Sequence, residues 1–94
     1  MFEKPKSGYT IYTKSGCKYC DKVKIRFPHA YFINCDKYLE NKKIFLDFID
    51  TLTDAKPRTF PMVFIDYEYK GGYDDTKLQF DTVSYTHLTL PTKA

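Results

Sequence analysis

The stretch from Tyr9 to Cys35 changes its hydrophobic period from that of a strand to that of a helix and back. No other feature constrains the fold as tightly. Residues 9–13 (Tyr-Thr-Ile-Tyr-Thr) are β-branched and aromatic, as a strand prefers. Ser15-Gly16 breaks that run. A helix is expected from about Cys17, with Cys20, Val23 and Phe27 spaced i, i+3 and i+7 on one face. Pro28 ends it, because the residue before a proline is pushed out of the α region. Residues 30–35 (Ala-Tyr-Phe-Ile-Asn-Cys) read as a second strand. Strand, helix and strand in this order imply a parallel pair joined by a right-handed crossover.

The remainder extends the pattern. Phe45, Phe48, Ile49 and Leu52 make residues 40–53 an amphipathic helix, which Lys56-Pro57 stops. Residues 62–66 (Met-Val-Phe-Ile-Asp) are apolar up to Asp66, as in a strand buried on both faces. Residues 67–70 are placed to pair with it as a hairpin, and Gly71-Gly72 punctuates. Tyr73-Asp74-Asp75 then opens a third helix, with acids in the first turn where the dipole favours them. The order β-α-β-α-β-β-α belongs to the α/β class. At 94 residues the chain is one domain with little stability to spare.

Composition narrows the function. Aromatic residues are 18% of the chain, too many for a disordered segment. Three cysteines are too few, and odd in number, for a disulfide-stapled secreted mini-protein. The longest strictly apolar run, Met62–Ile65, falls far short of the ~20 residues that span a membrane. The start, Met1-Phe2-Glu3-Lys4-Pro5, shows no signal-peptide h-region. A cytoplasmic protein with no membrane partner is expected. Charge is uneven. Residues 1–28 carry Lys4, Lys6, Lys14, Lys18, Lys22, Lys24 and Arg26 against Glu3 and Asp21, and the rest is net acidic. The basic end suits an anionic partner. Tyr9, Tyr12 and Tyr19 interleave with the lysines, but no nucleic-acid module accompanies them, so no nucleic-acid partner is expected. A small anionic substrate fits better.

Cys17-Lys18-Tyr19-Cys20 lies between a strand and a helix start. Thiolate is the nucleophile, and a helix N-terminus offers it unpaired N–H groups and the positive end of the dipole. Lys14 and Lys18 add positive charge. Cys20, one turn on, is placed to attack a mixed disulfide on Cys17. Cys17 is thus the exposed nucleophile and Cys20 the buried resolving thiol. Zinc or an iron–sulfur cluster is the rival use of the pair, but only Cys35, His29 and His87 remain as ligands, with no second Cys-x-x-Cys. No metal is expected. Cys35, in an apolar strand, reads as a small core residue.

Thr59-Phe60-Pro61 precedes the third strand, where Pro61 is expected at the strand start. A cis Phe60–Pro61 bond would turn the Phe60 backbone toward the thiols, where an extended ligand could add as a strand. In Gly71-Gly72-Tyr73-Asp74-Asp75 the glycines allow close backbone approach, and a helix N-terminus suits a carboxylate. Ordinary turn chemistry and helix capping are the plainer uses of these residues.

Together, and in this order from about Tyr9 to Phe80, these motifs resemble glutaredoxin of the dithiol type. Its Lys or Arg before Cys-Pro-Tyr-Cys, its Thr-Val-Pro and its Gly-Gly followed by a polar stretch ending in Asp have counterparts here. They are Lys14, Cys17-Lys18-Tyr19-Cys20, Thr59-Phe60-Pro61 and Gly71-Gly72-Tyr73-Asp74-Asp75. Lys18 departs from the family proline, adding charge and relaxing the turn. Phe60 departs from a smaller valine, with little damage expected because the backbone carries the role.

The resemblance implies a thioredoxin-like fold, a four-stranded mixed sheet flanked by helices, with the last helix incomplete. It implies glutathione as co-substrate, and disulfide-bearing or glutathionylated proteins as partners of a monomer. By analogy Lys14 and Arg58 would bind the glycine carboxylate of glutathione, and Tyr19 would flank the site. Thr59, Phe60 and Pro61 would present backbone to the cysteinyl unit. Gly72, Tyr73, Asp74 and Asp75 would hold the γ-glutamyl end. A thioredoxin-like reductase that does not use glutathione is the alternative within the same chemistry. After Asp81 the character changes. Residues 83–94 lack helical periodicity and resemble translated read-through of a sequencing-library adaptor. The domain is therefore expected over 1–82, with 83–94 a non-native tail and His87 without functional weight.

Overall fold

A computed structural model of the protein describes residues 2–76. The elements run β1 (Tyr9–Thr13), α1 (Lys18–Arg26), β2 (Tyr31–Asn34), a 3-10 turn (Tyr38–Asn41), α2 (Lys42–Leu52), β3 (Met62–Ile65) and β4 (Glu68–Gly71). Residues 73–76 are helical. The expected continuation of that helix, His87 and the 83–94 tail lie outside the described residues.

The strands form one mixed sheet in the order β2-β1-β3-β4. β1 and β2 are parallel, with Tyr12 opposite Ile33, whereas β1–β3 and β3–β4 are antiparallel. This is the thioredoxin-like arrangement that the motifs imply, and the crossover helix α1 accounts for the parallel pair. Both central strands are buried on both faces, so β3 is apolar throughout and even the threonines of β1, Thr10 and Thr13, are buried. On one side Tyr12, Ile33, Cys35, Met62 and Phe64 pack with Phe45 and Ile49 of α2. On the other, Ile11 and Val63 pack against Val23 of α1. Alternation along β1 and β3 sends neighbouring residues to opposite layers.

Boundaries moved where side chains met partners far along the chain. α1 begins at Lys18 with Cys17 as its N-cap, and it closes on Phe27, whose N–H donates to Val23 O at 2.8 Å. α2 starts at Lys42 instead of residue 40, because residues 38–41 wind as a 3-10 turn that places Tyr38 and Leu39 on the core. Asp66 belongs to the hairpin turn and not to β3. It and Tyr67 both have positive φ (48° and 75°), as a two-residue hairpin loop requires. The Asp66 carboxylate accepts from the Gly8 N–H at 2.7 Å, and its own N–H donates back to Gly8 O at 2.9 Å.

The segment before β1 is also tied down. The Phe2 ring meets Tyr38, Phe45 and Phe48 at centroid distances of 4.8, 5.5 and 5.2 Å. Tyr12 donates to Glu3 O at 2.6 Å, Tyr38 Oη accepts from the Glu3 N–H at 3.1 Å, and Tyr31 donates to the Glu3 carboxylate. The strap closes the end of the α2-side core.

Candidate active site

The two thiols of Cys-x-x-Cys differ in setting because one caps the helix and the other faces the core. Cys17 is half-buried, in extended conformation, and its Sγ accepts from the Cys20 N–H at 3.2 Å. Its thiol donates to the carbonyl of Phe60 at 3.7 Å, and the Phe60–Pro61 bond is cis. Cys20 has no exposed surface. Burial, and then the hydrogen bond with Cys17, push its pKa up to about 12. Cys35 is buried in the α2-side core, and desolvation pushes its pKa to about 12 as well. Lys18 occupies the first helical position, where a proline would also be accepted. The turn into the helix is closed without it, by Gly16 at a φ of 70° and by the cap on Cys17.

The loop leading to Cys17 is fastened to the far end of β2. The Ser15 N–H donates to the Asp36 carboxylate at 2.9 Å, and the Ser15 hydroxyl donates to the other oxygen. These bonds hold the Asp36 carboxyl below the usual carboxylate range. The Asn34 side chain accepts from the Asp36 N–H at 3.0 Å, which fixes the acid in turn. No motif marked Asp36. Its contact with Ser15 exists only once β1 and β2 are paired.

Two clefts meet over Thr59 and Phe60. One, of about 270 Å³, is lined by Lys14, Leu39, Lys42 and Arg58 in addition to those two. The other, of about 430 Å³, runs past Pro61 to Gly72, Asp74 and Asp75, with Tyr19, Tyr69 and Tyr73 along it. Every residue that the resemblance assigns to glutathione lines one cleft or the other, and Cys17 Sγ sits against the carbonyl of Phe60, a residue common to both. The basic cleft and the acidic cleft share Thr59 and Phe60, and the Phe60 carbonyl is the group that the Cys17 thiol touches.

Several side chains add to the sequence expectation. Arg58 is already engaged: its two terminal nitrogens each donate to Asp50 at 3.0 Å, and one also donates to Pro57 O at 2.9 Å. The pairing holds Asp50 below the carboxylate range. Lys42 lines the same cleft and has no carboxylate partner among the described residues. Sequence reasoning missed it, since a lysine at a helix start carries no motif. The Phe60 ring is not idle either. It stacks on Phe45 at 6.2 Å, and Lys14 Nζ lies 5.9 Å from its centroid. Asp75 accepts from the Gly72 N–H at 3.1 Å, so helix capping is part of its role. Gly71 has a φ of 118°, and a Cβ there would lie 2.4 Å from Cβ of Asp75. Tyr19 and Tyr73 stack at 5.1 Å with 26° between their planes.

Among the described residues no three His, Cys, Asp or Glu side chains gather as a metal site, and no helix is long and apolar enough to cross a membrane.

No family profile matches the chain, and no curated protein matches it. Solved structures do. Glutaredoxin 1 from Francisella tularensis, solved with cacodylate, is 28% identical, with a TM-score of 0.66 over 83% of this chain and 96% of that one. A buckwheat glutaredoxin in complex with glutathione is 24% identical, with a TM-score of 0.66 over 84% and 73%. Oxidised glutaredoxin 2 from Chlamydomonas reinhardtii is 24% identical, with a TM-score of 0.64 over 85% and 77%. With its mixed sheet in the order β2-β1-β3-β4 and its Cys-x-x-Cys at the start of α1, the chain has the thioredoxin-like fold of a glutaredoxin.

Proposed function

We propose that the protein is a glutathione-dependent thiol–disulfide oxidoreductase of the cytoplasm, with Cys17 as nucleophile and Cys20 as resolving thiol. The likeness to glutaredoxins supports thiol–disulfide oxidoreduction as the reaction class. The contact of Cys17 Sγ with Phe60, a residue shared by a basic and an acidic cleft, carries the finer reading. Glutathione is an anion with two carboxylates and one ammonium. Its cysteinyl sulfur lies between the glycine carboxylate and the γ-glutamyl end, so an extended molecule matches both clefts at once. Lys14, Lys42 and Arg58 would meet the glycine carboxylate. The Phe60 backbone, with Thr59 and Pro61 beside it, would meet the cysteinyl unit. Asp74 and Asp75 would face the ammonium, with Gly72, Tyr19 and Tyr73 forming the wall.

The Cys17 thiolate attacks one sulfur of the substrate disulfide, and the other sulfur leaves as a thiolate and takes a proton from solvent. With a glutathionylated substrate Cys17 carries away the glutathionyl group. A second glutathione thiolate then displaces it as oxidised glutathione. With a protein disulfide, Cys20 gives up its proton and attacks Cys17 Sγ, which releases the reduced protein and leaves a Cys17–Cys20 disulfide. Two glutathione molecules supply the two electrons that restore the pair. Before that attack Cys20 stays protonated, since burial raises its pKa to about 12. It therefore does not compete as first nucleophile.

Glutathione-coupled reduction of a small glutathione mixed disulfide tests the proposal. Cys17→Ser is expected to abolish turnover, whereas Cys20→Ser keeps it and loses reduction of protein disulfides. Activity in the Cys17 variant, or equal rates with and without glutathione, would overturn it.

A further inference from the structure

We propose that the outer face of α1 beside Cys17, where Lys18 and Lys22 pack round the stacked rings of Tyr19 and Tyr73, docks protein substrates whose target cysteine is flanked by Asp or Glu. The inference rests on the thiol–disulfide reading above, but not on glutathione. Lys22 Nζ lies 5.5 Å from the Tyr19 centroid and 5.7 Å from that of Tyr73, and Lys18 Nζ lies 6.0 Å from Tyr19. Both ammoniums thus sit round one aromatic pair at the rim of the site, within about a turn and a half of Cys17. Lys18 and Lys22 are i, i+4 on one helix, so their charges repel and the isolated helix gains nothing from them.

Among the described residues no carboxylate forms an ion pair with either ammonium. Elsewhere Arg58 is paired with Asp50, Lys43 with Asp47 and Lys70 with Glu68, whereas Lys18 and Lys22 have no carboxylate partner among the described residues. The single acid of α1, Asp21, is next in sequence to Lys22 and so points round the helix from it, and although it lies i, i+3 from Lys18 the two form no ion pair. Tyr19 keeps 46% of its surface exposed although it is stacked. An aromatic platform ringed by unpaired cations accepts a carboxylate-bearing backbone: acids pair with the ammoniums, and the rings cover the apolar stems. A partner cysteine joined to Cys17 brings its own neighbours over this platform. Tyr19 and Tyr73 also line the larger cleft, but Lys18 and Lys22 line neither cleft, so the two ammoniums are placed to read residues that glutathione does not have.

The test uses the reduced wild-type protein without glutathione and two peptides, each closed by one disulfide. Asp and Glu flank the cysteines in one peptide, and Lys flanks them in the other. A single turnover breaks the peptide S–S bond, forms the Cys17–Cys20 bond and moves two protons to the peptide thiols. Acid quenching and mass measurement give the rate. The acidic peptide is expected to react about 10-fold faster at low salt, as for other electrostatically steered encounters. That preference should shrink as salt shortens the screening length from about 8 Å near 0.15 M to about 3 Å at 1 M. Lys22→Glu, an exposed change, should bring the ratio to unity or invert it. The same variant should turn over the small glutathione mixed disulfide like the wild type. Equal rates for the two peptides, or a preference that survives Lys22→Glu and high salt, would overturn the docking surface. Loss of glutathione-coupled turnover with the peptide preference intact would instead overturn the glutathione reading alone.

Discussion

Iodoacetamide offered to the folded protein at neutral pH should label Cys17 and leave Cys20 and Cys35 unmodified, since both are fully buried thiols. Mass measurement should find one adduct on the native protein and three after denaturation. The same burial makes stability pH-dependent. Cys20 and Cys35 have pKa values raised from 9.0 to about 12, so the folded state holds their protons more tightly than the unfolded chain does. Their contribution is therefore complete below pH 9 and is lost as pH rises from there toward 12. The denaturant midpoint should be flat through neutral pH and fall above pH 9. A midpoint that rose in that range would contradict the assignment. Glycine positions divide just as sharply. Gly71→Ala combines a positive φ with a Cβ placed against Asp75, whereas a Cβ on Gly16 meets nothing within 4 Å. The first should cost more than the ~1–2 kcal/mol expected for φ strain at the second, read from the same denaturation curves.

At the scale of elements, α2 brings together what no local motif could. Its first residue, Lys42, lines the basic cleft beside Lys14, while Asp50 on the same helix holds the Arg58 fork. Lys42→Ala should therefore raise the KM for glutathione more than Arg58→Ala does, with kcat little changed in either, since part of the Arg58 charge is already neutralised. Steady-state kinetics with varied glutathione decide it, and a larger effect at Arg58 would reverse the ranking. The redox loop depends on β2 in a comparable way. With the Ser15–Asp36 bonds removed, Asp36→Ala should slow turnover at Cys17 several-fold, as loss of positioning does, while thermal stability stays near wild type.

The whole molecule is a sheet with both faces covered, and most of that was legible in the chain. Alternation at Ile11-Tyr12 and Met62-Val63-Phe64 fixes which layer each side chain enters. Cys17, Cys20, Thr59, Phe60, Pro61 and the Gly71-Gly72 turn were legible because each belongs to a short motif with its own backbone requirement. Lys42, Asp36, Asp50 and the Phe2–Glu3 strap were not, because they act only through residues that the fold brings to them. Glu3 and Tyr38, for instance, are 35 residues apart in the chain. The 3-10 turn before α2 and the Asp66-Tyr67 hairpin loop moved boundaries for the same reason. The strap should matter to a domain with only about 5–15 kcal/mol in hand. Phe2→Ala removes one half-buried ring from three aromatic contacts and should cost about 1–3 kcal/mol, measured by urea denaturation.

The position of Cys20 beneath Cys17 has a consequence for the protein outside its catalytic cycle. A covalent dimer can form only where a sulfur reaches the surface, and among the three cysteines that is Cys17 alone. Any Cys17–Cys17 bridge between two molecules then has a Cys20 one helical turn away in each; attack by one Cys20 on its own Cys17 closes that monomer with an intramolecular disulfide and releases the other monomer with both thiols reduced. Air oxidation of a concentrated stock should thus end in intramolecular disulfide and not in cross-linked chains, so the protein limits its own covalent aggregation.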